Sequence, residues 1–412
     1  MKPKINTERL WSRMMRMAEI GATEKGGSNR VALTPEDKQG RDLFVQWCKE
    51  LGCKIQIDNM GNIFAIRPGQ DNSLLPISCG SHLDTQPRGG KFDGVYGVLA
   101  GVEIFECLNE NDIQTRAPLQ ICVWTNEEGA RFPPPMLSSG VYAGSYELDY
   151  AYNRVDADGI RLEDALKDIG YDGPIACGSN KMGAFLEVHI EQGPILEAEK
   201  KVIGVVTKAQ GARWYRIHFN GQDAHTGTTP MPARKDSLLA ASHAIVEIEK
   251  IALRHGPDAV ATVGRIENEP NSHNTIAGNT TITVDMRNPS EEVLDQMQHE
   301  LHSAAQQAAS ATRCEVEVEI ISNTPAVHFD ERCLELIEQN TQELGLSYKK
   351  MISGAGHDAC HLAKVTPTAM IFIPCEEGIS HNESEYAAPE DLANGAQVLL
   401  GALLDLAQPV SV

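Results

Sequence analysis

The run LPISCGSHLDTQPRGGKFDGVYGVLAG, residues 75–101, decides how this chain is read. An apolar, strand-like stretch ends in the polar motif SHLDT (81–85), and a glycine-rich turn, GGKFDG (89–94), opens a helix candidate over 94–110. Strand, polar rim and helix in succession are the unit of a parallel α/β sheet, and on such sheets ligands collect beyond the carboxyl ends of the strands. Three further segments repeat the arrangement. LQICVWT runs into TNEEG (125–129), AFLEV into EVHIEQG (187–193), and TAMIFIPCEEGIS into GISHN (378–382). Helix candidates at 7–20, 35–52 and 161–169 alternate with strands near 62–67, 76–81, 118–125 and 184–190. This alternation predicts an α/β fold with a largely parallel sheet and helices on both faces.

Residues 211–327 follow another pattern. WYRIHF (214–219) is a strand candidate, 233–255 a long amphipathic helix, AVATVGRI (259–266) and TTITVDMR (280–287) alternating strands, 290–313 a second helix and EVEVEII (315–321) a last strand. The order β-α-β-β-α-β is the split βαβ, ferredoxin-like arrangement. Patterns of the first kind resume near residue 328, so the expected organisation is a discontinuous domain, 1–210 with 328–412, carrying an inserted domain, 211–327.

At 412 residues the chain exceeds one ordinary core, which agrees with two domains. A 42% apolar and 23% charged composition is that of a folded protein, and a net charge of −21 argues against nucleic acid or an anionic membrane surface as partner. No apolar run approaches the ~20 residues that span a bilayer. The N-terminus, with Glu8 and Glu19 and no apolar h-region, reads as an amphipathic helix rather than a secretory signal. Ten cysteines without a C-x-x-C pair read as reduced core thiols, and a cytoplasmic setting is expected.

The polar motifs offer five metal-ligand candidates: His82, Asp93, Glu128, His189 and His381. Taken singly each is ordinary: a histidine after a strand, a helix-capping aspartate, a solvated Glu-Glu loop, a turn histidine. Four independent segments that deliver such groups to one rim are not ordinary. Adjacent Glu127 and Glu128 repel unless cations or protons compensate. One carboxylate as ligand and its neighbour as general base on a metal-bound water satisfies that requirement. Asp84, two residues past His82, is expected to orient that imidazole as a supporting carboxylate. Strand alternation puts His189 and Glu191 on one face and Gln192 on the other. Three histidines and two carboxylates suit two divalent ions, Zn2+ or Mn2+, with Co2+ and Ni2+ as alternatives.

The motifs SHLDTQP, GKFDG, NEEGARF, HIEQGPILE, AHTGTTPM, SGAGHD and MIFIP…GISHN together resemble those of the M20-type metallo-amidohydrolases. The similarity is strongest to the N-carbamoyl-amino-acid amidohydrolases, which comprise L-carbamoylases, β-ureidopropionases and allantoate amidohydrolases, and it runs nearly the full length. It implies Asp93 as bridging ligand, His82 and His189 completing one site, Glu128 and His381 the other, Glu127 as general base and Asp84 as the carboxylate partner behind the ligand His82. It also implies His225 as the group that polarises the scissile carbonyl or stabilises its oxyanion, with Gln192, Asn274 and Arg287 binding the substrate. The loop holding Gly354 and Gly356 would offer backbone N–H groups to an anion. The implied enzyme is a homodimer through the inserted domain, which also acts as a lid, and its substrate is a small anionic ureido compound. One departure is the TIAG segment after Asn274, where the family more often has proline before the glycine.

Overall fold

The structure, a computed structural model, describes residues 2–408. It divides into two units, Met1–Thr207 with His328–Val412 and Lys208–Val327. Along the chain come β1 (Lys54–Ile57), β2 (Ile63–Arg67), β3 (Ile77–His82), β4 (Leu119–Trp124), β5 (Ala184–Ile190) and β6 (Ile203–Ala209). The second unit supplies β7 (Gly211–Asn220), β8 (Ala224–His225), β9 (Val260–Glu269), β10 (Thr275–Ile276), β11 (Asn279–Asn288) and β12 (Glu315–Thr324). The chain closes with β13 (Val327–His328), β14 (Tyr348–Ser353) and β15 (Thr368–Ile373).

Among the described residues the large sheet has the order β1-β2-β4-β3-β5-β15-β6-β13, with β14 also against β6. Its centre, β4-β3-β5-β15, is parallel. The flanks are not: β1–β2, β2–β4 and β6–β15 pair antiparallel. The strand expected near 62–67 is therefore present, but runs against the parallel set. The four central strands are buried along their whole length, which is why they read as near-continuous apolar runs instead of alternating ones.

Helices form where the caps and the apolar spacing agree. Thr34 accepts from the Asp37 N–H and Pro35 occupies the first turn of Pro35–Glu50. The helix Val95–Glu110 is apolar almost all round and buried to match, from Val95 through Leu108 with only Glu106 partly exposed. It starts at Gly94, whose φ of 67° is left-handed and where a Cβ would lie 2.2 Å from the His82 ring. Glycine there lets the imidazole rest on the helix start.

In the second unit β12-β7-β11-β9 form an antiparallel sheet. Helices Ser237–Arg254 and Glu291–Thr312 bury Ala240, Ala244, Ile248, Met297, Leu301 and Ala305 against Tyr215, Ile217, Phe219 and Ile282 of the sheet. The first helix begins later than its pattern suggests because Asp236 caps it, accepting from the Leu239 N–H. The short β8 and β10 form a separate two-stranded ribbon.

Candidate metal centre

The four parallel strands end at one rim. His82 is the last residue of β3 and pairs in register with Trp124, the last of β4, so Glu127 and Glu128 follow just beyond. His189, near the end of β5, pairs with Phe372 of β15, whose continuation leads to His381. Asp93 arrives on the turn before the buried helix.

Asp93 is the hub. Its Oδ1 lies 3.1 Å from His189 Nε2 and 3.7 Å from His82 Nε2, and its Oδ2 3.2 Å from His381 Nε2. His381 Nε2 is also 3.3 Å from Glu128 Oε2. Two groups, His82–Asp93–His189 and Asp93–Glu128–His381, thus bring their ligand atoms within 4.8 Å of one another and share the aspartate. The ring nitrogens are sorted for this task. His82 Nδ1 is 2.8 Å from the Asp84 carbonyl and His189 Nδ1 2.9 Å from the Ile190 carbonyl, so each Nδ1 donates and Nε2 faces the carboxylates. The donor set is that of a cation site, and both groups fit divalent ions.

The electrostatics agree. Burial opposes charge on Asp93, but hydrogen bonds with His189 and His381 and the charges of His189 and His82 outweigh it and hold its carboxyl well below the usual range. Burial likewise opposes charge on His189, and Asp93 overrides it, taking the ring up to about 9. Hydrogen bonds to Asp93 and Glu128 take His381 up to about 10. Glu127, with its Oε2 3.5 Å from His82 Nε2, is pushed well above the ordinary value by burial and then by Asp358, Glu128, Asp93 and Asp84. Cations placed beside such a cluster of carboxylates offset both their mutual repulsion and the cost of burying them.

Several expectations need correction. Asp84 does not meet His82 through its carboxylate; only its main-chain carbonyl touches that ring. The carboxylate instead accepts from the N–H groups of Glu127 at 3.3 Å and Glu128 at 3.2 Å, fixing the turn that presents them. Burial holds it up to about 6. The alternation assumed through Glu191 fails because β5 ends at Ile190. Glu191 caps the next helix, accepting from Ile195 and Leu196 N–H, and Gln192 turns back with a φ of 56°. Gln192 Nε2 donates to Asp93 Oδ2 at 2.8 Å and lies 3.1 Å from Ser380 Oγ, so it sits on the carboxylate the two groups share.

Of the neighbouring groups, Gln86 and Glu187 were not singled out by sequence, whereas His357 belongs to the SGAGHD motif. Gln86 grips Glu128, its N–H on Oε1 at 3.0 Å and its Nε2 on Oε2 at 2.8 Å. Glu187, buried in the apolar AFLEV, accepts from Ser81 Oγ at 2.6 Å and from the Ala359 N–H at 3.1 Å. His357 stacks edge-on against His189 with ring centres 4.6 Å apart, and burial keeps it well below the ordinary histidine value. The one carboxylate interrupting an apolar strand was the available signal for Glu187; Gln86 offered none. Next to His357, a side chain at Gly356 would collide with Met136, whereas Gly354 opens to free space.

In the second unit β8 and β10 bring His225 and Asn274 together: His225 pairs with Thr275, and the Asn274 carbonyl accepts from the Thr226 N–H at 3.2 Å. His225 is exposed, and its Nδ1 accepts from the Gly227 N–H at 2.9 Å, which leaves its proton on Nε2. Arg287 does not join them. It lies near the far end of β11 from Asn279, where the ribbon attaches, roughly 27 Å away at the rise of an antiparallel strand. Its Nη2 holds Asp285 Oδ2 at 2.8 Å.

Residues 79–405 match the model of peptidase family M20/M25/M40. The chain belongs to that family. It is 46% identical to the N-carbamoyl-L-amino-acid amidohydrolase of Rhizobium meliloti, over 99% of this chain and 98% of that protein. A crystal structure of a hydantoinase/carbamoylase family amidase from Burkholderia multivorans is similar with a TM-score of 0.93 and 49% identity, covering 98% of both chains. The ureidoglycolate hydrolase of Oryza sativa subsp. japonica is 34% identical over 98% of this chain and 85% of its own. The M20 protein described above is thus a hydrolase, and its resemblance to the N-carbamoyl-amino-acid amidohydrolases extends over the whole chain.

Proposed function

We propose that this chain is a metal-dependent amidohydrolase that removes the N-carbamoyl group from an L-α-amino acid or from β-alanine. The products are the free amino acid, carbon dioxide and ammonia. The observation that carries this reading is the division of Asp93, with Oδ1 toward His82 and His189 and Oδ2 toward His381. A carboxylate so placed suits two divalent ions, Zn2+ or Mn2+, with Co2+ or Ni2+ as substitutes. Bound there, the ions supply Lewis acidity.

The chain's own residues do the rest. Glu127 takes the proton of the attacking water and returns it to the leaving nitrogen. Burial raises its proton affinity and cations beside it lower it, which brings a carboxylate toward the neutral range that both transfers need. His225, with its proton on Nε2, donates to the developing oxyanion. Gln192 and Asn274 hold the ureido group, the backbone at Gly354 and Gly356 faces the anionic end, and Arg287 pairs with the substrate carboxylate.

The reading extends to the assembly. A small substrate that uses both Arg287 and the His225–Asn274 pair requires two copies of the chain, because Arg287 lies near one end of β11 and the ribbon that carries His225 and Asn274 attaches at the other. The second unit is then a ferredoxin-like lid and dimerisation domain. Ten unpaired thiols suit a reducing, cytoplasmic setting.

A second reading, allantoate or ureidoglycolate hydrolysis, draws on the rice relative, and the higher identity to the Rhizobium protein favours the first. Ammonia release from N-carbamoyl-L-methionine, N-carbamoyl-β-alanine and allantoate, after chelation and reloading with Mn2+, separates them. Turnover of a carbamoyl amino acid is expected. Turnover of allantoate alone would favour the second reading, and cleavage of a dipeptide with none of the three would overturn both.

A further inference from the structure

A carboxylate outside the ligand set ties together the two loops that form the second cation group. Glu385 is 2% exposed, and among the described residues no lysine or arginine pairs with it. Such burial is costly unless the charge is fully hydrogen-bonded. Here it is. Oε1 accepts from the N–H groups of Phe92 at 2.8 Å and Asp93 at 3.1 Å. Oε2 accepts from Ser380 Oγ at 2.9 Å, the residue before His381. The Ser380 hydroxyl is also 3.2 Å from Asp93 Oδ2, so the same three residues form a closed loop of contacts.

The neighbouring backbone is shaped to admit this carboxylate. A Cβ at Gly90 would lie 1.9 Å from Glu385 Oε1 and 2.3 Å from Oε2. Glu385 is therefore seated on bare backbone in GGKFDG, where any side chain would expel it. The His381 turn it restrains is strained, with His381 at a φ of 52°. Left to itself such a turn would relax and withdraw the imidazole from Asp93 and Glu128.

We propose that Glu385 is a positioning residue that clamps the His381 turn to the Asp93 loop and thereby sets the affinity of the second cation group, Asp93–Glu128–His381. The inference rests on the two-ion reading above. It assigns Glu385 no contact with substrate or with an ion. Its effect passes through the Asp93 main chain and through Ser380. The His82 and His189 side of Asp93 has no such dependence on the His381 turn, so the two ions respond unequally.

The test is a Co2+ titration of the chelated, full-length chain, followed by its visible absorption bands and by calorimetry. The variants are Glu385→Gln, Glu385→Ala and Gly90→Ala, each with its melting temperature recorded. The second Co2+ is expected to bind roughly 10–100-fold more weakly in Glu385→Ala, with the first little changed. Gly90→Ala leaves Glu385 in the sequence but displaces its carboxylate, and should reproduce the effect. Glu385→Gln keeps the acceptor for Phe92 and Asp93 and remains within hydrogen-bond reach of Ser380, so it should restore most of the affinity. Two ions in the parent with unchanged second-ion affinity in Glu385→Ala and Gly90→Ala would overturn the clamp alone. Equal weakening of both ions in Glu385→Ala would also overturn it. Uptake of a single ion by the parent would overturn the two-ion reading itself.

Discussion

At the residue scale the site is a contest between protons and cations. His189 and His381 are held up to about 9 and about 10 by the carboxylates they face. At pH 7.5 both rings therefore carry an extra proton until a cation takes Nε2. Loading should release protons, and apparent affinity should rise with pH until those values are passed. Calorimetric titration with Mn2+ in buffers of different ionisation enthalpy reads the released protons directly, and a buffer-independent heat would contradict the assignment. Glu127→Gln removes the proposed proton acceptor but keeps the shape of the turn. It should lower kcat by roughly 10²–10⁴-fold with Mn2+ still bound. Much of this was legible in the sequence, because each of the five ligand candidates sits directly in a short polar motif. What was not legible depends on chain folding: Glu385 in NESEY looks like any solvated acid, and Asp84 serves a turn 43 residues away through its carboxylate rather than the adjacent imidazole.

At the element scale, the strands that carry the site announced themselves by buried apolar runs, and the helices by their caps. The sense of the flanking strands did not, since an apolar run has no direction and pairing partners lie far off in sequence. The start of the helix Val95–Glu110 is where an element and the site meet. Gly94→Ala would drive a methyl into the His82 ring at a left-handed backbone position. It should cost about 1–2 kcal/mol in stability and weaken Co2+ uptake as well, as thermal melts of the chelated and loaded chain would record. The short helix Asp358–Leu362 makes a separate case, because His361 is buried beside Ser145 and Tyr146, with ring centres 5.6 Å apart for the latter. Burial, with help from Lys364, lowers it to about 4. A depressed histidine is neutral in the fold and takes its proton first when unfolded. Its contribution is complete above about pH 6.5 and is lost as pH falls toward 4, up to roughly 3 kcal/mol from 1.36 kcal/mol per unit. Urea unfolding between pH 7 and 4 should therefore show a steeper loss in the parent than in His361→Gln.

At the scale of the whole molecule, the proposed substrate contacts raise the question of how one small substrate would meet both Arg287 and His225. The strand β11 is ten residues long and antiparallel to both neighbours, so it holds the two groups apart within one chain. If each active site takes Arg287 from its own chain and His225 from a partner, Arg287→Ala and His225→Ala are each inactive as pure dimers. A mixed dimer is different, because one of its two sites then has both groups intact while the other has neither. Random reassociation makes half the dimers mixed, so about a quarter of the parental activity should return on mixing. The measurement is ammonia release before and after the two variants are dissociated in mild denaturant and refolded together. No recovery, with dimers confirmed by light scattering, would place both groups in the site of a single chain. It would then require one of them to be released from its role in substrate binding. The sequence left open whether His225 acts within its own chain or across a dimer, because it put Arg287 and His225 in one domain with one small ligand; the register of β11 separates Arg287 from the end where the β8–β10 ribbon that carries His225 attaches.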